Sequence, residues 1–405
     1  MVLLPVLYLL LVAGVAFLMW WHLTSNTWML SIANQWLAIA YVTPAVIGVT
    51  LVFFMIKPVL ARAPKPPDPT PLDRADEPVL FALIETICRQ VGAPSPARVQ
   101  VDCQVNASAS FSNGPLGVFG RDLTLTIGLP LVAGLSVREF GGVLAHEFGH
   151  FAQGGGMRLT MIVRAVNAWF VRVVYQRDHW DEKLEGQSKR GDFRLILVLM
   201  LARVFIWMSR LALKALMTAG HAISCFMMRQ MEYDADSYEI KFGGGAAFVT
   251  TCTRLRELNA GAQLGYGDLQ RAWQTGELPE NLPVFLTERV NRIPDAVRTE
   301  VRRMPDAKAK WFDTHPADSD RVKAALAASS PGILIGGDGP ATELFRDFES
   351  IAAKATRHHY EHDLGLDLNA VTLLATGQVI AESDRRRTDR EAIDRFFAGR
   401  FSLDR

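Results

Sequence analysis

His146-Glu147-Phe148-Gly149-His150 is an H-E-x-x-H pentad inside residues 139–151, a stretch patterned as a helix. Residues four apart are separated by about 400° of helical rotation, so His146 and His150 project from one face and can hold one Zn²⁺. Glu147, about 100° around the helix from His146, can reach a water on that ion and take its proton. The neighbouring positions are small or apolar: Gly141, Gly142, Val143, Leu144 and Phe148. The pentad therefore predicts a catalytic zinc site on a buried helix.

A catalytic zinc ion takes three protein ligands and keeps one position open. The candidate third ligand is Glu232, in the segment Met231-Glu232-Tyr233-Asp234-Ala235-Asp236. Glu232 and Asp236 are four apart on a predicted helix, so one carboxylate can bind the metal while the other braces a ligand. The four cysteines include no C-x-x-C pair, which predicts reduced structural thiols and a zinc site built from histidine and carboxylate.

Two uncharged stretches near the N-terminus, 2–21 and 36–56, predict a transmembrane hairpin. Each has about 20 residues, the length that a bilayer core demands of a helix. Tryptophans cluster at the ends that face the connecting segment, as in an aromatic belt: Trp20, Trp21, Trp28 and Trp36. A signal peptide is the alternative for the first stretch, but that stretch lacks a basic N-terminal region and a second span follows without a small-residue cleavage site.

Basic residues set the predicted orientation of the hairpin. The connecting segment, 22–35, contains no Lys or Arg, whereas Lys57, Arg62 and Lys65 follow the second stretch. By the positive-inside rule, everything after the hairpin faces the cytoplasm. The net charge of +1 gives no reason to expect nucleic acid as a partner.

The pattern divides the chain into a hairpin (1–62), a proline-rich tether (63–78), a catalytic domain (79–330) and a helical C-terminal extension (331–405). Within the domain we expect a helix at 78–91 and strands at 99–105 and 116–127, with a turn at 112–115. Further helices are expected near 246–259 and 284–303, the second broken at Pro294, and a charged solvated helix covers 381–405.

A hydrophobic insert at 157–228 has two readings. It is either a second transmembrane hairpin or a pair of apolar arms associated with the membrane surface. Arg203, Arg210 and Lys214 are seven and four residues apart and share a helical face. That spacing favours an amphipathic helix lying along or dipping into the surface.

A second histidine group, His358-His359-Tyr360-Glu361-His362, also places two histidines four apart. Glu361 is not positioned as the base of an H-E-x-x-H, and the surroundings are charged. We therefore interpret this group as an exposed helix face rather than as a second metal site.

Taken together, the motifs resemble those of the integral-membrane zinc metallopeptidases that include bacterial HtpX and the CAAX prenyl endopeptidases. The resemblance covers roughly residues 1–330. Its pieces occur in the same order: a hydrophobic hairpin, Val105-Asn106-Ala107 before a strand, the run 144–150, a hydrophobic insert, Glu232 with Ala235-Asp236, and Thr314-His315-Pro316 followed by Arg321.

The resemblance implies a role for each matching residue of the metal site. His146, His150 and Glu232 would bind one Zn²⁺ per chain, and Glu147 would be the general base. Asp236 would lie behind the ligands, paired with Arg321.

The resemblance also implies how substrate is held. His315 would stabilise the oxyanion, with an ordinary turn histidine before proline as the alternative. Asn106 and Ala107 would lie on an edge strand that receives the substrate as an added strand. The implied fold is a mainly α membrane protein, with the hairpin joined to an α+β zincin domain of the gluzincin type that holds a small sheet.

The predicted function is a membrane-anchored zinc endopeptidase of the bacterial inner membrane, with its catalytic domain in the cytoplasm. Its partners would be the lipid bilayer and protein or peptide substrates, chiefly membrane-associated or misfolded proteins. Two alternatives stay open at this point: a non-catalytic, chaperone-like zinc scaffold, and a narrow maturation protease with a single partner.

Overall fold

The structure is a computed structural model that describes residues 3–60, 69–111, 122–152, 193–303 and 316–396. The chain divides into two compact units. Among the described residues, the first unit holds 3–60 and 193–228, and the second holds the remainder. His315, residues 112–121 and residues 153–192 lie outside the described residues, and the expectations placed on them stay predictions.

The first unit opens with three helices: α1 (Leu3–Ser25), α2 (Trp28–Ser31) and α3 (Gln35–Leu60). Two hydrogen bonds join α1 to α3. The Tyr8 hydroxyl donates to the Met55 carbonyl at 2.8 Å, and the Tyr41 hydroxyl donates to the Leu23 carbonyl at 2.8 Å. Because these bonds connect opposite ends of the two helices, the pair is an antiparallel hairpin.

The surface of this hairpin is apolar. All four tryptophans of the predicted belt are exposed, by 51–70%. Two helical segments among the described residues are long and apolar enough to cross a membrane, Val6–Ser31 and Gln35–Phe53. The expected pair of apolar helices is therefore present, and each is a few residues longer than its sequence pattern.

Helix α7 (Phe193–Gly243) is continuous over 51 residues and runs from the first unit into the second. Its described part contributes no further candidate membrane span. The surface placement expected for residues 193–228 stays a prediction, and the first arm of the insert lies in the undescribed range.

A four-stranded mixed sheet begins the second unit, in the order β1-β2-β4-β3. Its strands are β1 (Thr70–Leu72), β2 (Arg98–Asp102), β3 (Ala107–Phe111) and β4 (Leu123–Gly128). Strands β2 and β4 are parallel, and the outer strands β1 and β3 are antiparallel to their neighbours. The two strands predicted from alternation are found in β2 and β4, whereas β3, rich in alanine and serine, was expected only from the family resemblance, which implied an edge strand at Asn106 and Ala107.

Strand β1 corrects the predicted tether. Thr70 pairs with Val101 and Leu72 with Val99, so this part of residues 63–78 belongs to the sheet. Pro71 sits on an edge strand, where a residue that cannot donate to the ladder is tolerated. The predicted C-terminal boundary of the tether, residue 78, is therefore too late, because the sheet begins at Thr70.

The helices of the second unit pack around this sheet. Helix α4 (Pro78–Val91) has the predicted bounds and ends at Gly92, whose φ of 80° suits glycine. The others in order are α5 (Leu129–Gly134), α6 (Val137–Ala152), α8 (Gly245–Thr275), α9 (Leu282–Val290), α10 (Asp295–Arg302) and α11 (Asp318–Ala328). The predicted break at Pro294 is confirmed, since Pro294 caps α10. Helix α8 runs 16 residues beyond its predicted end at 259.

The C-terminal segment is part of the second unit, so its description as a separate helical extension was wrong. It contains α12 (Phe348–His358), β6 (Thr372–Leu374) and α13 (Thr376–Phe396). Strand β6 pairs in parallel with β5 (Glu277–Pro279). The Leu334 N–H donates to the Phe242 carbonyl at 3.1 Å at the end of α7. The mainly α fold with a small mixed sheet agrees with expectation.

Candidate metal centre

The pentad lies on α6, whose start is fixed by a reciprocal cap. The Ser136 N–H and hydroxyl both donate to Glu139 Oε2 at 2.9 Å, and the Glu139 N–H faces Ser136 Oγ at 3.3 Å. This S-x-x-E pattern satisfies amide groups that a helix N-terminus leaves without partners. The cap fixes the first residue of α6. Because side-chain directions repeat regularly along a helix, the start of α6 also determines the directions of His146 and His150.

Glycines let α6 approach the end of α7 closely. A Cβ on Gly149 would lie 2.8 Å from Tyr238 Cδ2 and 3.3 Å from the Ala235 Cα. A Cβ on Gly141 would lie 2.8 Å from Phe242 Cε1. Phe140, Leu144 and Phe148 are also buried on α6. The contact brings the pentad to within reach of the acidic residues of α7.

Three acidic residues of α7 are buried beside the pentad: Glu232, Asp236 and Glu239. Spacings of four and three place them on one face of the helix. Buried carboxylates are costly unless they are paired or bind a cation. The buried face of α7 therefore supplies negative charge to the two histidines.

His146, His150 and Glu232 form a three-donor cluster. His146 Nε2 is 3.6 Å from Glu232 Oε2, and His150 Nε2 is 3.8 Å from Glu232 Oε1. The two rings are perpendicular, with centroids 5.0 Å apart. Bonds of about 2.0–2.1 Å in a tetrahedral zinc site separate ligand atoms by roughly 3.4 Å. The donor types and spacings therefore fit one zinc ion.

Asp236 lies behind the cluster and faces the other nitrogen of His146, with Oδ1 3.1 Å from Nδ1. Arg321 of α11 donates from Nε to Asp236 Oδ2 at 2.8 Å and from Nη2 to Oδ1 at 2.5 Å. Burial raises the pKa of Asp236, but the bonds from Arg321 outweigh it and the pKa is lowered. An ionised carboxylate at Nδ1 leaves Nε2 turned toward Glu232.

Glu239 was missed by the sequence analysis. Its Oε2 is 3.6 Å from His146 Nδ1, and burial raises its pKa to about 7. The signal was present as a third acidic residue at i+7 from Glu232, on the same helical face. His146, Asp236 and Glu239 also meet the spacing of a metal cluster. That set has one histidine, and Asp236 is already held by Arg321, so the pentad cluster is the better zinc site.

The electrostatic surroundings favour a cation at His146. Burial lowers the pKa of His146, but the carboxylates of Asp236 and Glu232 raise it to about 10. A zinc ligand has to be a neutral imidazole, so the metal would replace the proton. The half-buried Glu147 adds negative charge to the same site.

Two further predictions concern the proposed substrate strand, with Asn106 and Ala107, and the second histidine group, which was expected to be an exposed helix face. Ala107 opens β3, and the Asn106 carbonyl accepts from the Gly128 N–H at 2.8 Å, so that carbonyl is already used within the sheet. In the second histidine group, the rings of His358 and His362 stack 4.3 Å apart on the partly exposed side. The group is nevertheless not wholly exposed, because His359 and Tyr360 are buried, with His359 Nδ1 2.6 Å from Asp363 Oδ2.

Comparisons with known proteins agree with this geometry. Residues 75–329 match Peptidase family M48. The protein named Protease HtpX of Psychrobacter sp. (strain PRwf-1) is 25% identical over 256 residues, covering 62% of this chain and 71% of the relative. Protease HtpX of Acinetobacter baylyi is 24% identical over 219 residues, covering 52% and 60%. No solved structure matches the chain significantly.

The family match confirms the resemblance seen in the motifs. It begins just after β1 and continues through the rest of the sheet, the pentad helix, the acidic end of α7 and Arg321. With two apolar helices ahead of a domain that carries this donor set, the chain belongs to Peptidase family M48, whose members are zinc metalloproteases.

Proposed function

We propose that this protein is a membrane-anchored zinc endopeptidase that cleaves membrane-associated or misfolded proteins. The observation that supports this most directly is the convergence of His146, His150 and Glu232 from two helices, with Asp236 and Arg321 behind them. The histidines and Glu232 would hold one Zn²⁺, which supplies Lewis-acid activation of a water and of the scissile carbonyl when bound.

The number of donors favours catalysis over a purely structural role. Structural zinc sites are closed by four protein ligands, whereas catalytic sites leave a position for water or substrate. Among the described residues, the pentad cluster contains three donors. His315 precedes the described segment that begins at Pro316, and its proposed role in stabilising the oxyanion rests on the family resemblance.

Glu147 would serve as the proton carrier. It follows His146 on α6 and is half-buried, and its charge raises the pKa of both His146 and Glu239. Its carboxylate would accept a proton from the attacking water and deliver it to the leaving amine. Asp236 would keep His146 oriented and would not itself exchange the proton, because Arg321 holds it ionised.

Strand β3 would align the substrate. The Gly128 N–H donates to the Asn106 carbonyl, so residues 106 and 128 form a hydrogen-bonded pair of the β3–β4 ladder. In an antiparallel ladder such pairs alternate with pairs that are not hydrogen-bonded to each other. Ala107, Ala109 and Phe111 therefore direct their N–H and C=O groups to the outer edge of β3. The Phe111 ring meets Phe151, next to His150, at 5.7 Å. An extended peptide added at this edge would pass beside the pentad helix.

The hairpin would confine the enzyme to a membrane. Two described segments have the length and apolarity of spans, and their large apolar side chains face outward. Lys57 near the end of α3, with Arg62 and Lys65 beyond it, would by the positive-inside rule orient the catalytic domain toward the cytoplasm, and the bacterial inner membrane is the location we propose. Substrates would then be membrane proteins and their cytoplasmic segments.

Glu147→Gln tests the proposal. Zinc content and cleavage of an unfolded membrane protein would be measured for the detergent-solubilised wild type, for this variant, and for Glu300→Gln as a control. Glu300 is exposed on α10, so its substitution makes the same change of charge away from the site. We expect one zinc in all three and cleavage in all but Glu147→Gln.

Other outcomes separate the alternatives. Full zinc without cleavage in the wild type would favour a chaperone-like scaffold or a maturation protease with one partner. Cleavage by Glu147→Gln at the wild-type rate would refute the role of Glu147. Absence of zinc from the wild type would refute the metal site itself.

A further inference from the structure

A cavity of about 310 Å³ opens in the second unit, lined by none of the residues of the metal centre. Helices α8, α9 and α13 contribute most of its wall. Six of the lining residues are arginines: Arg271, Arg289, Arg292, Arg386, Arg387 and Arg390. Four are acidic: Asp268, Glu277, Glu382 and Asp384. Guanidinium groups stay charged under all ordinary conditions, so the cavity carries two positive charges in excess.

The ion pairs inside the cavity leave positive charge incompletely balanced. Asp384 is shared by three arginines, with Arg292 Nε at 3.1 Å, Arg289 Nη1 at 3.5 Å and Arg387 Nη2 at 3.6 Å. Asp268 is shared by Arg271 and, again, Arg289. Arg386 pairs with Glu382 at 3.0 Å, and Arg387 also lies 3.9 Å from Glu391. One carboxylate cannot neutralise several guanidinium groups, so the cluster attracts a further anion.

Arg289 is the buried centre of this cluster. The residue is only 4% exposed, and its guanidinium carbon lies 4.9 Å from the centre of the Phe285 ring. Arg289 Nε and Arg292 Nη1 are buried and make no hydrogen bond to the described residues. Burial lowers the pKa of Arg289, which shows that its charge is poorly solvated. Buried donors of this kind are costly unless an acceptor occupies the cavity.

Most of the other lining residues are apolar: Leu264, Ala272, Phe285, Pro294, Leu374 and Val379, beside the polar Thr275, Gln378 and Ser383. The volume is at the lower end of the range found for small-molecule sites. The cavity therefore combines a cationic side with an apolar side at the scale of a small molecule.

We propose that this cavity binds a small phosphate monoester that carries an apolar body. A monoester has a charge of about −1.5 to −2 near neutral pH, and it would add negative charge where Asp384 and Asp268 are each shared by more than one guanidinium group. Arginine is suited to phosphate because its planar fork can donate two parallel hydrogen bonds. The apolar body of the ester would lie against Leu264 and Pro294, which line the cavity and are exposed. Neither the zinc site nor the sequence motifs assign this site.

Calorimetric titration of the detergent-solubilised full chain with phenyl phosphate tests the proposal. Inorganic phosphate and phenol serve as comparison ligands, at an ionic strength of about 0.15 M, where weak surface attraction is screened. The variants are Arg292→Gln and Arg387→Gln, both at partly exposed positions, with Arg385→Gln as control. Arg385 is exposed on the same helix as Arg387 and does not line the cavity.

We expect phenyl phosphate to bind more tightly than either comparison ligand. Arg292→Gln and Arg387→Gln should each weaken binding at least tenfold, and Arg385→Gln should leave it unchanged. Because these substitutions do not touch the metal centre, a loss of binding locates the ligand in the cavity. Unfolding temperatures equal to that of the wild type would verify that the variants are folded.

Three results would overturn the proposal. Equal binding in Arg292→Gln, Arg387→Gln and the wild type would place the anion elsewhere. Inorganic phosphate binding as tightly as phenyl phosphate would remove the role of the apolar wall. A lack of binding by any of the anions would identify the cluster as an internal ion-pair network.

Discussion

Arg321 and Asp236 form a two-point ion pair behind the metal centre, with Nε to Oδ2 at 2.8 Å and Nη2 to Oδ1 at 2.5 Å. Asp236 Oδ1 is in turn 3.1 Å from His146 Nδ1. The three side chains come from α11, α7 and α6, so the orientation of one imidazole depends on the packing of three helices. This relationship links the stability of the second unit to the geometry of the proposed zinc site.

Asp236→Asn should weaken zinc binding by about 10–100-fold, the usual effect of losing a carboxylate that orients a ligand histidine. The substitution keeps the shape of the side chain and removes the charge that faces His146 Nδ1. Competition with a chromophoric chelator would measure the affinity. Asp234→Asn is the matched control, because Asp234 is exposed two residues away on the same helix. Similar zinc affinities in the two variants would contradict the orienting role.

Zinc binding at pH 7.5 should release about one proton from His146. In the metal-free protein the pKa of His146 is raised to about 10, since the nearby carboxylates outweigh burial. The protonated form therefore prevails at pH 7.5, and affinity should rise with pH as the proton leaves more easily. The protonated ring also stabilises the metal-free fold below pH 6.5, and that contribution is lost as the pH approaches 10.

Calorimetry in buffers of different ionisation enthalpy would count this proton. The binding enthalpy should depend linearly on the ionisation enthalpy of the buffer, with a slope near one proton. The slope should fall in Asp236→Asn, because that variant lacks a carboxylate that raises the pKa of His146. An enthalpy independent of the buffer would show that His146 is already neutral.

Gly149→Ala should abolish cleavage, whereas Gly142→Ala should reduce cleavage much less. A Cβ at Gly149 meets Tyr238 Cδ2 at 2.8 Å and the Ala235 Cα at 3.3 Å, so α6 and α7 must move apart. At Gly142 the nearest atom is Glu239 Cγ at 3.3 Å, in a side chain that can adjust. Overpacking of this kind costs about 1–3 kcal/mol. Thermal unfolding and cleavage assays would compare the two, and equal activities would argue against tight packing at Gly149.

The site residues that could be predicted from the sequence are those related by the helical repeat. The pentad and the pair Glu232 and Asp236 follow the helical repeat, so their shared faces could be read from the sequence. Glu239 continues the same face but belongs to no motif and was overlooked. The pairing of Arg321 with Asp236 joins residues 85 positions apart, and only the family resemblance suggested it.

The fold could be predicted from the sequence to a similar extent. Long apolar stretches and the helix at 78–91 carry strong periodic signals. Strand β3 has small residues and weak β-propensity, and it exists because β4 pairs with it. The C-terminal segment looked like a charged extension because its buried positions, such as Phe348 and Tyr360, are scattered among charged residues. Both β3 and the C-terminal segment owe their structure to contacts with residues distant in sequence, and local composition does not reveal such contacts.

Thr356→Val should destabilise the second unit by about 1–3 kcal/mol, the usual cost of a buried group left without its partner. Thr356 is fully buried on α12, and its hydroxyl accepts from the Leu282 N–H at 2.9 Å at the start of α9. Valine keeps the volume and leaves that N–H without an acceptor. Thr299→Val is the control, because Thr299 is exposed on α10 and bonds within its own helix. The unfolding temperature should fall by several degrees for Thr356→Val alone. Equal unfolding temperatures would mean that the C-terminal segment contributes little to the fold, and a chain ending at residue 330 would then remain folded.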